Sequence, residues 1–142
     1  MYENLSLYID GKFTSGSSGV TSDVINPAND AVLAKLPHAK KAELDAALAA
    51  ADKGFKEWKR VSAYERAKIL RKAADLVRER TEDIAKVLTQ EQGKILLEAR
   101  LEVQGAADII DWFAEEGRRA YGRIIPARAE GGRNMVIMEP GG

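Results

Sequence analysis

Cysteine is absent from the 142 residues of this chain, and histidine is limited to His38. The lack of thiols excludes disulfides, a thiolate metal site and a cysteine nucleophile within the sequence. One imidazole cannot complete a zinc site, and a serine triad would have no other histidine as its base. Because His38 follows a proline that ends a predicted strand, we predict that it lies in a surface loop.

An excess of one charge is also lacking, because 22 Lys and Arg residues balance 22 Asp and Glu residues. Nucleic-acid binders usually show a basic excess, and electrostatic docking to an anionic membrane needs one. No apolar run approaches the roughly 18 residues of a membrane span, and Met1 to Asn4 do not begin a signal peptide. We therefore expect a cytoplasmic protein with neither nucleic acid nor membrane as a partner.

Phosphate-binding motifs are missing as well. The sequence has no Gly-Lys-Ser/Thr P-loop and no G-x-G-x-x-G after a strand. Gly16-Ser17-Ser18-Gly19 is typical of a flexible polar loop rather than of a phosphate cradle. We therefore predict no cofactor-binding residue and no catalytic residue within this chain.

The residues that are present begin with β-structure. Asp10-Gly11 lies between β-prone residues and predicts a type I′ hairpin, which requires positive φ at both central positions. Asn26-Pro27 predicts a turn, because the residue before proline is pushed away from the helical region. Val32, Ala34 and Leu36 alternate as in a half-buried strand that Pro37 ends.

Four helices are predicted after this region. The first covers Lys41–Lys59, the second begins at the capping box of Ser62 and Glu65, and the third runs from a Thr81 cap to Gly93. The fourth has about 24 residues and a length of about 36 Å, which suggests packing against a larger body. The predicted inward faces are Leu44, Leu48, Ala51, Phe55 and Trp58; Ile69, Leu70, Ala73, Leu76 and Val77; Ile84, Val87 and Leu88; and Leu96, Ala99, Val103, Ala106, Ile110, Phe113 and Gly117.

The last predicted element is a strand at Met135–Met138. A terminal apolar strand needs a partner for its backbone groups, and we predict that the short N-terminal strands provide it.

Three charged clusters have both a functional and a structural interpretation. Asp111 and Glu115 lie four residues apart and suit acid/base chemistry, but a solvated helix face is the simpler interpretation. Five arginines (Arg118, Arg119, Arg123, Arg128 and Arg133) form either an anion site or, as we prefer, a surface between subunits or domains. The run from Glu91 to Lys94 is typical of a helix end with a glycine cap.

Several short motifs, in their order, resemble those of the NAD(P)-dependent aldehyde dehydrogenases. The similar segments are Tyr8-Ile9-Asp10-Gly11-Lys12-Phe13 (Y-I-[ND]-G-x-[WF]), Val24-Ile25-Asn26-Pro27-Ala28 (V-x-N-P-A), the helix from Leu44 to Trp58, Glu65-Arg66-Ala67-Lys68-Ile69-Leu70 (E-R-A-x-x-L), Glu91-Gln92-Gly93-Lys94 (E-x-G-K), Trp112 to Glu116, Ile125-Pro126 and Glu139-Pro140. They extend over essentially the whole chain. Asn29-Asp30 departs from the Thr-Gly that is common in the family, and Gly141 from its usual branched residue.

The resemblance implies an α/β parent fold of Rossmann type. This segment would supply the N-terminal β-hairpins and about four helices over residues 1–123, and the start of an oligomerisation β-arm over residues 124–142. The parent enzyme would oxidise an aldehyde, such as a semialdehyde, to a carboxylic acid with NAD or NADP, as a homodimer or homotetramer. The family's cysteine nucleophile and general-base glutamate lie in a C-terminal catalytic portion that these residues do not include.

Only a few site residues follow from the resemblance. A monovalent cation would be bound by the backbone carbonyls of Val24 and Ile25 and by the carboxylate of Glu91. Leu101 and Gly105 would lie nearest the substrate entrance. The alternatives are a stand-alone helical interaction module without catalysis, or a small acid/base enzyme built on the paired carboxylates.

Overall fold

The computed structural model describes residues 5–141, so the predictions made on Met1 to Asn4 and on Gly142 lie outside the described residues. The order of elements is four short strands, four helices, a 3-10 turn and two strands. The strands are β1 (Leu7–Ile9), β2 (Lys12–Thr14), β3 (Thr21–Ile25), β4 (Val32–Pro37), β5 (Arg123–Pro126) and β6 (Arg133–Val136). The helices are α1 (Lys41–Trp58), α2 (Ala63–Glu79), α3 (Thr81–Gln92) and α4 (Leu96–Glu116).

Three antiparallel hairpins account for the strands of the described residues. The β1–β2 turn has positive φ at both Asp10 and Gly11 (48° and 75°), which confirms the predicted type I′ geometry. The predicted turn after Ile25 is confirmed, because the Asn26 side chain accepts the Ala28 N–H and the Asn26 carbonyl accepts the Asp30 N–H. The departure at Asn29-Asp30 is compatible with this turn, since Asp30 adopts φ of 57°.

The pairing of β6 differs from our expectation. Its partner is β5, not an N-terminal strand, and Arg123 lies opposite Val136. A Cβ on Gly122 would collide with the carbonyl oxygen of Val136, so the hairpin needs glycine there. The strand ends at Val136, before the predicted Ile137 and Met138. A local hairpin costs less loop-closure entropy than a distant pairing.

Helix ends follow local chemistry. Ser62 caps α2 by accepting the Glu65 N–H, while the Glu65 carboxylate bonds Lys68 instead of completing the capping box. Gly93 caps α3 in the left-handed conformation, as predicted. Thr81 does not cap α3, because its hydroxyl donates to the carbonyl of Arg78 and Arg80 is the cap residue.

The core is a seam of small residues where α4 packs on α2 and α3. The buried residues are Ala67, Ala74, Ala85, Ala99, Val103, Ala107 and Ala114. Our prediction was wrong for Ala106 and Phe113, which are exposed, and for Ile69, which is 54% exposed. Alanines lie on the seam because they permit close approach of the helix backbones. The larger side chains therefore lie on either side of the seam, where they are partly or fully exposed.

Other predicted faces are also more open than expected. Leu44 and Leu48 of α1 are 57% and 71% exposed, and α1 contacts β1 more than it contacts the other helices. Val32 and Leu36 of β4 are exposed as well. Within the described residues, no helix has both the length and the apolar character needed to cross a bilayer.

Candidate functional site

The two segments predicted to bind a cation lie side by side. The turn after β3 meets the end of α3, where a Cβ added to Gly93 would lie 3.3 Å from Cγ of Pro27. Glu91 lies two residues before this cap, and Pro27 lies two residues after Ile25. Glycine is required at this position both by its φ of 73° and by the proximity of the proline ring.

The backbone is irregular at the predicted carbonyl ligands. The β3–β4 register shifts between Val24, which faces Ala34, and Ile25, which faces Val32, so Leu33 is an extra residue on β4. A bulge of this kind interrupts the hydrogen-bond ladder and redirects local backbone groups. Carbonyl and carboxylate oxygens are suitable donors for a hard cation. The described residues contain no group of three or more His, Asp or Glu side chains arranged for a metal, so such a site would depend on backbone oxygens.

The residues predicted at a substrate entrance lie on the outer face of α4. Leu101 is 61% exposed, and a Cβ added to Gly105 would meet nothing within 4 Å. By helical periodicity, both positions lie on the side of α4 opposite the buried Val103 and Ala107. The acidic residues Glu98 and Asp108 share this side of the helix, and Asp108 is paired with Arg78.

The paired carboxylates of α4 are bound to arginines of α2. Arg78 lies 2.8 Å from Asp108 and 2.7 Å from Asp111, and Arg71 pairs with Glu115. The hydrogen bonds that Arg78 donates to Asp108 and then to Asp111 raise the pKa of its guanidinium. Carboxylates held in this way fasten two helices together, so the structural interpretation is favoured over acid/base catalysis.

Part of the arginine run is likewise engaged within the chain. Arg118 lies 3.1 Å from Glu115 and stacks over the Tyr64 ring at 4.6 Å, and Arg119 lies 3.1 Å from Glu116. Arg123, Arg128 and Arg133 lie further along, on β5, β6 and the segment between them. The run therefore does not converge on one anion site.

The Gly/Ser loop is fixed by a carboxylate of α1. The Ser17 N–H donates to Glu43 Oε1 at 2.8 Å, and the Lys40 N–H donates to Glu43 Oε2 at 2.9 Å. The hydrogen bond with Ser17, followed by that with Lys40, lowers the pKa of Glu43. Because an internal anion already satisfies this loop, it does not serve as a phosphate cradle. Sequence reasoning missed this contact, although the spacing from Lys40 to Glu43 suits a helix cap.

A second contact that the sequence did not reveal joins His38 to Ser22. The Ser22 hydroxyl lies 2.6 Å from His38 Nε2 on the exposed β3–β4 hairpin. The adjacent carboxylate of Asp23 bonds Lys35 at 2.6 Å and does not orient the imidazole. A serine and a histidine without an orienting group do not form a triad.

Comparison with known proteins identifies the wider context of these elements. The sequence model of the aldehyde dehydrogenase family matches residues 13–142. The chain is 44% identical over 133 residues to 3-sulfolactaldehyde dehydrogenase of Pseudomonas putida, covering 94% of this chain and 27% of that protein. It is 42% identical over 132 residues to NADP(+) succinate-semialdehyde dehydrogenase of Escherichia coli K12, covering 93% of this chain and 27% of that protein.

A solved structure gives the same result for the fold. The chain superposes on an Escherichia coli NADP-dependent enzyme with a TM-score of 0.89 and 41% identity, covering 93% of this chain and 27% of that one. The chain thus spans about a quarter of the length of the relatives that it matches. Its hairpins and helices are part of a much larger α/β architecture in those proteins.

Proposed function

Because the chain belongs to the aldehyde dehydrogenase family, we propose that it forms the N-terminal scaffold of an NAD(P)-dependent aldehyde dehydrogenase and carries none of its catalytic residues. The observation that carries this proposal is the family match over residues 13–142, together with the lack of any cysteine in the sequence. A thiolate route cannot proceed without its nucleophile. The chemistry would then depend on a C-terminal catalytic portion, and NAD or NADP would bind there.

The names of the relatives suggest a substrate class. 3-Sulfolactaldehyde carries a sulfonate, and succinate semialdehyde carries a carboxylate. We propose that the complete enzyme oxidises an aldehyde that bears a second, anionic group. The cations that bind this group would belong to the catalytic portion, because the one basic residue of α4, Arg100, is paired with Glu82.

The division of the chain is part of the same proposal. Residues 1–123 would belong to the cofactor-binding domain, and residues 124–142 would begin an arm that pairs subunits in a homodimer or homotetramer. Support comes from the β5–β6 hairpin, where Ile124 and Met135 are 67% and 77% exposed. We also propose a cytoplasmic location, which fractionation of the source cells would test.

Leu101 and Gly105 would border the substrate entrance of the complete enzyme. The support is the 61% exposure of Leu101 and the open space beside Gly105, which no described atom fills within 4 Å of a Cβ. A single helix cannot enclose an entrance, so the opposite wall would come from the catalytic portion.

A monovalent cation would bind between the β3–β4 bulge and the end of α3, at the Val24 and Ile25 carbonyls and the Glu91 carboxylate. We predict that K⁺ or Na⁺ raises the thermal midpoint of the complete enzyme relative to choline at equal ionic strength. Glu91→Gln should reduce this difference, because it removes the charged ligand. The control is Glu98→Gln on α4, which should preserve it; equal midpoints in all three salts would contradict the site.

A covalent chimera tests the proposed function. Residues 13–142 would replace the matched segment of the Escherichia coli succinate-semialdehyde dehydrogenase, and NADPH formation would be followed with succinate semialdehyde. We expect turnover within about tenfold of the parent enzyme, because the scaffolds share one fold. The 142-residue chain alone should form no NADPH or NADH with any aldehyde; turnover by that chain, or an inactive folded chimera, would refute the proposal.

A further inference from the structure

A cavity of about 480 Å³ lies where three parts of the chain meet. Its lining residues come from the end of α1, the start of α2 and the C-terminal segment: Gly54, Phe55, Trp58, Lys59, Arg66 and Pro140. Small-molecule sites are commonly clefts of about 300–1,000 Å³. Because elements far apart in sequence form its walls, the cavity is a concave feature of the fold and not the face of one helix.

Aromatic rings and a cation lie together in this cavity. The Nζ atom of Lys59 is 5.1 Å from the centroid of the Phe55 ring, which is a cation–π contact. Phe55 is partly buried, and Trp58, three residues further along, is 41% exposed. A ring in this condition can pack against the ring of a ligand, since aromatic pairs attract beyond the area that they bury.

The positive charges around the cavity are not neutralised within residues 5–141. The ion pairs of these residues include none that involves Lys59, Arg60 or Arg66. Lys59 and Arg60 also line a neighbouring cavity with Glu139, which is the one carboxylate among the described residues that line either cavity. Arg66 is partly buried, and a buried charge is costly without a partner. An anionic ligand would provide that partner.

Gly54 keeps one wall of the cavity free of a side chain. A Cβ at this position would meet no atom within 4 Å, and its φ does not require glycine. Glycine is among the poorest residues for a helix interior, so neither packing nor backbone conformation accounts for it. A larger side chain at this position would project into the cavity and reduce the space beside Trp58.

We propose that this cavity binds a small aromatic anion, meaning a planar ring that carries a phosphate or carboxylate group. The ring packs on Trp58 in the space beside Gly54, and Lys59 and Arg66 bind the anionic group. Both parts of the ligand are needed, because a free anion gains no ring contact and a neutral ring gains no charge-assisted hydrogen bond. The inference goes beyond the proposed function and does not rest on it.

Quenching of Trp58 fluorescence tests the proposal. The 142-residue chain carries Trp112→Phe, which leaves Trp58 as its one tryptophan, and it is titrated with AMP, adenosine, inorganic phosphate and benzoate. We expect AMP or benzoate to quench saturably, with an affinity at least about tenfold above that of adenosine or phosphate, because ring and charge act together. Tighter binding of AMP assigns the site to a nucleotide, and tighter binding of benzoate assigns it to an aromatic acid.

Two substitutions locate the ligand. Gly54→Leu should abolish saturable quenching, because leucine fills the cavity and is well suited to a helix interior. Lys59→Gln should weaken the affinity about tenfold, because it removes a charged donor to the anion. The matched control is Lys56→Gln on the same helix, where the lysine pairs with Asp52 at 2.6 Å, and it should leave binding unchanged. Circular dichroism of each variant establishes that α1 is intact.

Each outcome decides the question. The proposal is overturned if neither AMP nor benzoate quenches saturably, or if inorganic phosphate or adenosine alone binds as tightly as they do. Unchanged binding in a folded Gly54→Leu chain would place the ligand elsewhere and overturn it too. The covalent chimera, saturated with NADP, should bind the same probe by calorimetry. An active chimera that does not bind it would overturn the site and leave the proposed function intact.

Discussion

Whether a position in this chain requires glycine depends on its backbone conformation as well as on its contacts. Gly93 and Gly54 illustrate the difference. Gly93 holds φ of 73° against Pro27, whereas Gly54 lies within α1 with open space where a Cβ would be. The first glycine is required by the local fold, and the second is not.

A matched pair of substitutions follows from this contrast. Gly54→Ala should raise the urea midpoint of the helical signal, by about 0.5–1 kcal/mol in free energy of unfolding. Gly93→Ala should lower it by about 1 kcal/mol or more, because alanine is strained at positive φ. Circular dichroism at 222 nm during urea titration measures both; shifts of the same sign would contradict the explanation.

Glu43 joins the Gly/Ser loop to the start of α1. The Ser17 and Lys40 N–H groups lower its pKa in the folded chain. Because the folded-state pKa lies below the unfolded value of about 4.3, the ionised carboxylate stabilises the fold above that pH. The stabilisation is lost as pH falls through the folded-state pKa.

We predict that Glu43→Gln flattens this acid dependence. The urea midpoint of the parent chain should fall between pH 5 and pH 3 more than that of the variant, and the two curves should converge at low pH. Glu57→Gln, on the same helix, serves as the control and should keep the parent slope. If the urea midpoint of Glu43→Gln depended on pH as steeply as that of the parent chain, the proposed contacts of Glu43 with Ser17 and Lys40 would be contradicted.

At the scale of elements, the register of α4 depends on residue size. Both Ala106 and Ala107 fit a three-four apolar pattern, but only Ala107 is buried against α2. The flanks of the seam carry ion pairs, including Arg78 with Asp108 and Arg100 with Glu82. Small residues in the centre of the seam, with long charged residues beside it, allow α4 to lie close to α2 and α3.

This register can be measured with two adjacent substitutions. Ala107→Leu should cost about 1–3 kcal/mol because it overpacks the seam, whereas Ala106→Leu should change stability by less than about 0.5 kcal/mol. Urea midpoints of the helical signal compare them directly. Equal losses of stability, or a larger loss at position 106, would instead favour the buried face predicted from the sequence, which includes Ala106.

At the scale of the whole molecule, the apolar surface is large for an independent protein. Among the described residues, no large side chain is fully buried, while Trp112, Phe113 and Met138 are more than 60% exposed. An independent monomer usually covers more of its large apolar side chains. The arrangement therefore suits a scaffold within a larger enzyme better than a stand-alone helical interaction module.

The two interpretations predict different melting behaviour. We expect the isolated chain to keep its helix seam but to bind anilinonaphthalene sulfonate strongly, because its outer apolar side chains are uncovered. The active chimera should bind less dye and unfold more sharply. A compact, dye-free monomer with a sharp transition would favour the interaction module instead.

The sequence by itself determined the features that depend on neighbouring residues. The Asp10-Gly11 turn, the Gly93 cap and the number of helices follow from backbone preferences and local hydrogen bonds, and the ordered motifs indicated the family. The tertiary structure alone decided which apolar face of α4 is buried, that β5 is the partner of β6, and that Arg78 meets Asp108 and Asp111. These features depend on how closely separate elements approach one another, and periodicity along a chain does not encode that distance when a helix is apolar on two sides.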